Sequence, residues 1–356
     1  MTDTKNTMIA DTICVDFIAD ALTKGGLPNG DARTVGELMV AADLLGGDGH
    51  GIFRLPRYLA RLKVGGFNPN PDIRVERRSG AMALLDGDNA MGHLVMKRAA
   101  DMAIDIAAEN GIGWVGAHHS NHAGAAGVYA LMPLKKDMIG LYVAVGNANH
   151  MAPWGGIELL LSTNPIAVAV PSTERPVLLD MATTKVAYGK VKLAAQRGET
   201  MPDDWMIDPE GNPVTDPKKG AGGSLLPIGG PKGYGLSLIF GLLAGTLNTA
   251  AFGRDVVDFN ADDTSVTNTG QFIVAIDVKA FCDVKAFKER VEAVRAEMKA
   301  SPLRPGFDDI RLPGERALAA RDKRLAQGIP ITPPLLAELD KVASEYGITP
   351  IVARTR

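Results

Sequence analysis

Six histidines, His50, His93, His118, His119, His122 and His150, hold most of the acid–base chemistry in this chain. Five sit in or beside glycine-rich segments. Three crowd into Ala117-His118-His119-Ser120-Asn121-His122-Ala123-Gly124, after an expected strand and before an expected helix of small residues. Catalytic groups commonly stand where a strand ends. An imidazole titrates near working pH, so it can take and give a proton within one turnover. The spacing of His118 and His122 also admits a metal pair. However, no His-Glu-x-x-His run and no nearby cysteine completes a ligand set, and no metal is expected. Plain packing or solvation of these rings stays open.

A second group pairs His50, in Asp48-Gly49-His50-Gly51, with Arg54, which begins Arg54-Leu55-Pro56-Arg57-Tyr58. A guanidinium is a planar fork that grips a carboxylate with two parallel bonds. A His and an Arg on adjoining turns suit a substrate with a carboxylate beside a carbonyl, although a surface arginine on an amphipathic helix explains Arg54 equally well. Gly229-Gly230-Pro231-Lys232-Gly233-Tyr234-Gly235 offers free N–H groups and a lysine at a helix start, which is anion-binding chemistry. It lacks the Gly-Lys-Ser/Thr ending of a phosphate-binding P-loop. Asp180 in Asp180-Met181-Ala182-Thr183-Thr184 is placed to accept from ribose hydroxyls, unless Thr183 merely caps a helix. Glu315 in Leu312-Pro313-Gly314-Glu315 binds a sugar hydroxyl or only favours a helix start.

These residues must be held by regular elements. Apolar periodicity predicts helices over 13–24, 32–45 (capped by Asp31) and 56–64, punctuated by paired glycines. The middle alternates strands at 81–85, 114–117, 139–145, 166–170, 177–179 and 272–276 with helices at 94–109, 123–131, 184–197 and 234–247. The end returns to helices at 284–299, 315–327 and 333–346. This pattern reads as a helical layer, 1–74 plus 301–356, against a central α/β domain, 75–300. The polar segment 203–224 reads as a long surface loop.

The chain has 356 residues, room for about two domains, with 46% hydrophobic and 22% charged residues. Its net charge of −3 gives no basic field for nucleic acid. Two cysteines, Cys14 and Cys282, exclude a disulfide-built secreted scaffold. The start lacks the pattern of an export signal. The uncharged stretch 233–253 is long enough for a membrane span, but its polar residues and glycines favour a buried helix. A cytoplasmic location and no membrane partner are expected. Gly111-Ile112-Gly113-Trp114-Val115-Gly116 matches the dinucleotide fingerprint, yet a helix precedes it and a strand follows. That order reverses the one the motif needs, so Gly111 reads as a helix C-cap.

Taken in order, Asp48-Gly49-His50-Gly51 with Arg54-Leu55-Pro56, Ser120-Asn121-His122-Ala123-Gly124-Ala125, Ser162-Thr163-Asn164-Pro165-Ile166, Leu179-Asp180-Met181-Ala182-Thr183-Thr184, Gly189-Lys190-Val191 and Gly230-Pro231-Lys232-Gly233-Tyr234-Gly235 resemble the malate/L-lactate dehydrogenase family of the non-Rossmann type. The resemblance runs from about residue 10 to residue 345. It implies an α/β (α+β) fold with a mixed-sheet cofactor domain, and a homodimer using NAD or NADP on a small carboxylic acid. It implies His122 as the acid/base, His50 and Arg54 as the substrate pair, and Thr163 beside the substrate. It implies cofactor contacts from Ser120, Asn121, His122, Ala123, Gly124, Asp180, Met181, Ala182, Lys232, Gly314 and Glu315, with Gly146 and Asn147 lining the nicotinamide pocket.

Two positions depart from the imine-reducing branch of that family, which carries a serine where Gly49 stands and an aspartate where Lys190 stands. Neither Gly49 nor Lys190 can join the relay those residues form. Lys190 is instead suited to an anionic substrate or a cofactor phosphate. The expectation is therefore a 2-hydroxy-acid dehydrogenase. A cyclic imino-acid reductase or a non-catalytic binding protein on the same fold is the alternative.

Overall fold

A computed structural model describes residues 6–354. Helices α1 (Asp11–Lys24), α2 (Asn29–Leu44), α3 (Leu55–Lys63) and α10 (Pro333–Tyr346) enclose one core, built on Phe17, Ile18, Leu22, Met39, Tyr58 and Leu339. The chain ends are tied by a short antiparallel pair, β1 (Thr7–Ile9) with β11 (Ile329–Ile331). Neither strand is visible in local periodicity, because each is three residues long and its partner is at the other end of the chain.

The second core lies on a seven-stranded sheet made of β2 (Arg74–Ser79), β3 (Met82–Asp86), β4 (Ile112–Ser120), β5 (Met138–Ala144), β6 (Ile166–Val170), β7 (Val177–Met181) and β10 (Thr269–Asp277). Its order is β2-β3-β4-β10-β5-β6-β7. Only β3 and β4 run parallel; every other neighbour is antiparallel. The sheet is therefore mixed and cannot be a doubly wound dinucleotide fold, whose strands run mainly parallel. Strand β10 sits at the centre and is buried along nearly its whole length, as its run of Phe272, Ile273, Val274 and Ala275 requires. Helix α4 (Gly92–Asn110) and the short α5 (Ala126–Ala130) cover one face. Helix α7 (Pro231–Ala244) lies against the other.

Gly111 ends α4 with a left-handed φ of 81°, as the reversed fingerprint requires. Helices α8 (Val284–Lys299), α9 (Glu315–Gln327) and α10 have the bounds that periodicity predicts. Other boundaries move. Helix α2 starts at Asn29, behind Pro28, so Asp31 lies in the first turn rather than at the cap. Strand β4 continues through His118, His119 and Ser120, because β3 and β10 pair with it on both sides. Those residues are therefore not in a loop. Helix α5 is only five residues long and passes into a 3₁₀ turn at Met132–Lys136 that contains Pro133. Helix α6 (Tyr188–Arg197) begins four residues late, because Thr184 is bridged to Pro227. The segment 203–224 is more than a surface loop. Strand β8 (Met206–Ile207) pairs with β9 (Ser224–Leu225), and Met201, Met206, Val214 and Leu225 form a small core with α6.

Helix α7 is not the buried helix its composition suggests. Gly233, Ser237, Gly241 and Ala244 face inward, while Leu236, Ile239 and Leu242 are exposed. Its fully buried residues are small, while Phe240 and Leu243 pack only partly against the sheet. Among the described residues, no helix is long and apolar enough to cross a membrane.

Candidate active site

His122 lies just beyond the end of β4, and His50 lies in the turn between α2 and α3. Their rings stack with centroids 5.4 Å apart. Tyr58, on the first turns of α3, is fully buried, and its hydroxyl lies 2.6 Å from His122 Nδ1. Burial pushes the Tyr58 phenol well above its ordinary pKa, so it stays protonated. The hydroxyl both gives and accepts hydrogen bonds. When His122 Nδ1–H donates to the Tyr58 oxygen, Nε2 keeps its lone pair and is ready to accept a proton.

Burial lowers the pKa of His122 well below the usual value, and the nearby Arg54, His50 and His93 charges lower it further. Burial, then Arg54, brings His50 down to about 4. Both rings are thus neutral at neutral pH, the form that acts as a base. Arg54 is held by Nε donating to Gly49 O at 2.8 Å and by Nη1 donating to Asn260 Oδ1 at 3.2 Å. Among the described residues no carboxylate pairs with it. An arginine fixed by two neutral acceptors still has its full charge available for an incoming carboxylate.

The segment 258–263 closes this side. Phe259 packs 5.6 Å from His122, its backbone oxygen accepts from Arg57 Nη2 at 2.8 Å, and its N–H donates to Asn147 O at 2.8 Å. Asn147 Nδ2 donates to Thr269 Oγ1 at 2.6 Å. Beside it, Gly146 N–H donates to Asn164 Oδ1 at 3.0 Å. A Cβ at Gly146 would overlap the Ser162 hydroxyl and crowd Thr163 Oγ1, so only glycine fits there. Thr163 is thereby placed against Gly146. Its carbonyl accepts from the Thr183 N–H and hydroxyl at 2.8 and 2.9 Å. Thr183 O in turn accepts from Ile228 N–H at 2.9 Å, which draws the glycine turn before Lys232 to the same corner.

Ser120 and Asn121 are fully buried and serve as framework. Ser120 Oγ donates to Gln271 Oε1 at 2.7 Å, and Asn121 Oδ1 accepts from Thr267 Oγ1 at 2.8 Å. Ala123 O accepts from Tyr129 Oη at 2.6 Å, and Gly124 has a left-handed φ of 78°. Asp180 stands near the end of β7 with Oδ2 accepting from Gly127 N–H at 2.8 Å, which leaves Oδ1 for a ligand hydroxyl. Met181 and Ala182 follow it. Gly314 packs onto Leu178, two residues before Asp180, so the Gly314-Glu315 turn shares that corner. Glu315 is already engaged: its Oε2 accepts from Lys299 Nζ at 2.7 Å.

His118 and His122 do not face one another. His118 Nε2 lies 2.7 Å from Glu76 Oε2 and His119 Nδ1 lies 3.0 Å from Asp86 Oδ1, so each of these rings has its own carboxylate. Lys190 is exposed on α6, and nothing ties it to His122 or Arg54. Lys232 is exposed at the start of α7. Neither lysine forms an ion pair among the described residues. Sequence reasoning missed Tyr58, Phe259, Asn260 and Asn164. Tyr58 had a signal, since it follows Arg54 by one helical turn.

The family model for malate/L-lactate dehydrogenase matches residues 10–340. The chain belongs to this family. It is 40% identical over 341 residues to a malate dehydrogenase of Pyrococcus horikoshii, which covers 93% of each chain. The solved sulfolactate dehydrogenase of Methanocaldococcus jannaschii superposes with a TM-score of 0.91 at 36% identity, covering 96% of this chain and 98% of that one. A solved delta1-piperideine-2-carboxylate reductase of Pseudomonas syringae is similar at 27% identity and a TM-score of 0.83, covering 95% of this chain and 100% of that one. Other relatives are named for NAD(+) and for NADP(+). As a malate/L-lactate dehydrogenase family member, the chain is an NAD(P)-dependent 2-hydroxy-acid oxidoreductase. The site suits that chemistry: His50 Nδ1 and both ring nitrogens of His93 are buried without a protein partner, and Asp180 uses only Oδ2 in its bond to Gly127.

Proposed function

We propose that this enzyme interconverts a small 2-hydroxy acid, malate- or lactate-like, and its 2-keto acid, with His122 as the acid/base. When bound, the nicotinamide supplies the hydride acceptor for oxidation and the donor for reduction. The segments 122–124, 146–147, 180–182 and 314–315, with Lys232, would hold it, and Ser120 and Asn121 would support them from within the framework. His122 Nε2 takes the hydroxyl proton as the carbon–hydrogen bond breaks and the carbonyl forms; it returns that proton in reduction. Arg54 grips the carboxylate, His50 orients the reacting oxygen, and Thr163 lines the same pocket. Such fixation contributes on the order of 7–11 kcal/mol at best.

The observation that supports this reading best is the convergence of Arg54, His50 and His122. They come from two distant segments and lie close together as an unpaired cation and two neutral bases. Imine reduction fits less well. Gly49 has no side chain for a relay, and Lys190 is exposed on α6. A panel of 2-keto acids and cyclic imino acids, each with NADH and NADPH, tests the assignment. Turnover confined to 2-keto acids supports it; turnover confined to the imines, or binding of cofactor without turnover, contradicts it.

Further features are consistent with the wider reading. Leu236, Ile239 and Leu242 recur every three residues on one exposed face of α7. That face, with exposed Leu247 beyond it, supports the homodimer we propose, in which a second copy of the chain covers it. The free cysteines Cys14 and Cys282 suit a reducing cytoplasm. The two cores support two domains, 1–74 with 301–356 and 75–300.

A further inference from the structure

We propose that Asp43 is the positioning residue of the substrate turn, holding His50 and Arg54 in register through the Ile52 N–H. The inference rests on the reading of Arg54 and His50 as substrate residues. Asp43 stands on the last turn of α2 and is buried. Its Oδ2 accepts from Ile52 N–H at 2.8 Å. Ile52 lies between His50 and Arg54 and opens the 3₁₀ turn Ile52–Arg54. The contact is tight, since a Cβ at Gly51 would overlap the Asp43 carboxylate. Glycine at 51 therefore serves the carboxylate rather than the turn.

The other end of the turn is clamped from α9. Arg324 donates to Asp48, with Nη2 to Oδ2 at 3.3 Å, and the same guanidinium donates to the Asp43 carbonyl. Residues 48 to 54 are thus suspended between two fixed points. One is an ion pair at the surface, and the other is the buried carboxylate. Arg54 cannot shift without moving Ile52 against Asp43.

The charged and titratable groups that face Asp43 are few. Asp48 from the turn and Arg324 from α9 act on it, and Cys14 from α1 senses its charge. Burial, with Asp48 adding to it, raises the Asp43 carboxyl to about 7, while the Ile52 N–H and Arg324 lower it. The ionised carboxylate accepts the Ile52 bond more strongly than the neutral acid does. The turn is accordingly held tighter above neutrality than below it.

Asp43→Asn keeps the shape and one acceptor while removing the charge. Two readouts test it. The first is amide hydrogen exchange of the protein without ligands. Protection of Ile52 in the wild type should fall about 5–10-fold from pH 8 to pH 6, and Asp43→Asn should be low and flat. The second is steady-state kinetics. KM for the acid should rise several-fold over the same range in the wild type and lose that dependence in Asp43→Asn, with kcat changed less. Gly51→Ala, which displaces the carboxylate, should match Asp43→Asn. Equal and pH-independent Ile52 protection in wild type and Asp43→Asn overturns the proposal, with or without turnover. A protection change in an enzyme inert to every acid tested contradicts only the functional reading.

Discussion

The Tyr58 hydroxyl meets His122 Nδ1 at 2.6 Å, joining α3 of the helical layer to the end of β4 in the sheet. This bond orients the His122 ring through Nδ1 and leaves Nε2 without a protein partner among the described residues. Tyr58→Phe leaves the volume almost unchanged and removes the partner. Turnover should fall about 10-fold, the cost of one buried hydrogen bond, while cofactor affinity stays near that of the wild type. Parallel steady-state assays and fluorescence titration check this. An unchanged kcat would separate Tyr58 from the chemistry.

The pH profile carries a second consequence. His122 has to be neutral to accept a proton, and its pKa is depressed by burial and then by Arg54. For hydroxy-acid oxidation, kcat should therefore stay high to below pH 6.5 and fall only on further acidification, while the Asp43 effect falls mainly on KM. Removing the guanidinium relieves part of the depression. Arg54→Gln should move the acid limb upward and raise KM about 10-fold or more, since a charge-assisted bond to the carboxylate is lost. An acid limb that Arg54→Gln leaves in place would count against their proximity.

His93 gives a stability prediction whose sign can be worked out. The ring is fully buried, and burial followed by His50 lowers it from 6.5 to about 3. Between those values the unfolded chain binds a proton that the native chain does not, so stability drops as pH falls through that window. Asp43, raised from 3.8 to about 7, works in the opposite sense. From pH 7.5 to pH 5, His93 alone should cost about 2 kcal/mol. Urea unfolding at both values should show His93→Gln losing correspondingly less stability than the wild type. Equal losses would mean that His93 takes up its proton without unfolding.

Much of this arrangement is legible in the chain itself. Helices α8 to α10 and strand β6 follow from local apolar spacing and their flanking Gly, Pro and Asp residues. The reversed order around Gly111 already excludes a Rossmann fold. What escapes is non-local. Arg74–Ser79 is charged and exposed and joins the sheet only as an edge strand on β3. Residues 203–224 look like a loop because their hydrophobic residues are far apart, yet Met206 and Leu225 meet across a two-residue ladder. The apolar run of α7 implies burial, but Gly233 and Gly241 are buried while Leu236, Ile239 and Leu242 remain outside. In the site, His50, Arg54 and His122 are readable as residue types. Their convergence depends on Tyr58, Phe259 and Asn260, whose roles arise only once α3 and the 258–263 segment are brought together.

The claim that His122 moves the proton is tested most directly by single-turnover reduction of a 2-keto acid in His122→Gln. The rate of nicotinamide oxidation is followed by stopped flow, and cofactor affinity is measured alongside. The rate should fall about 10²–10⁴-fold with cofactor affinity little changed. A rate within a few-fold of the wild type would contradict the assignment of His122 and leave proton transfer to another group.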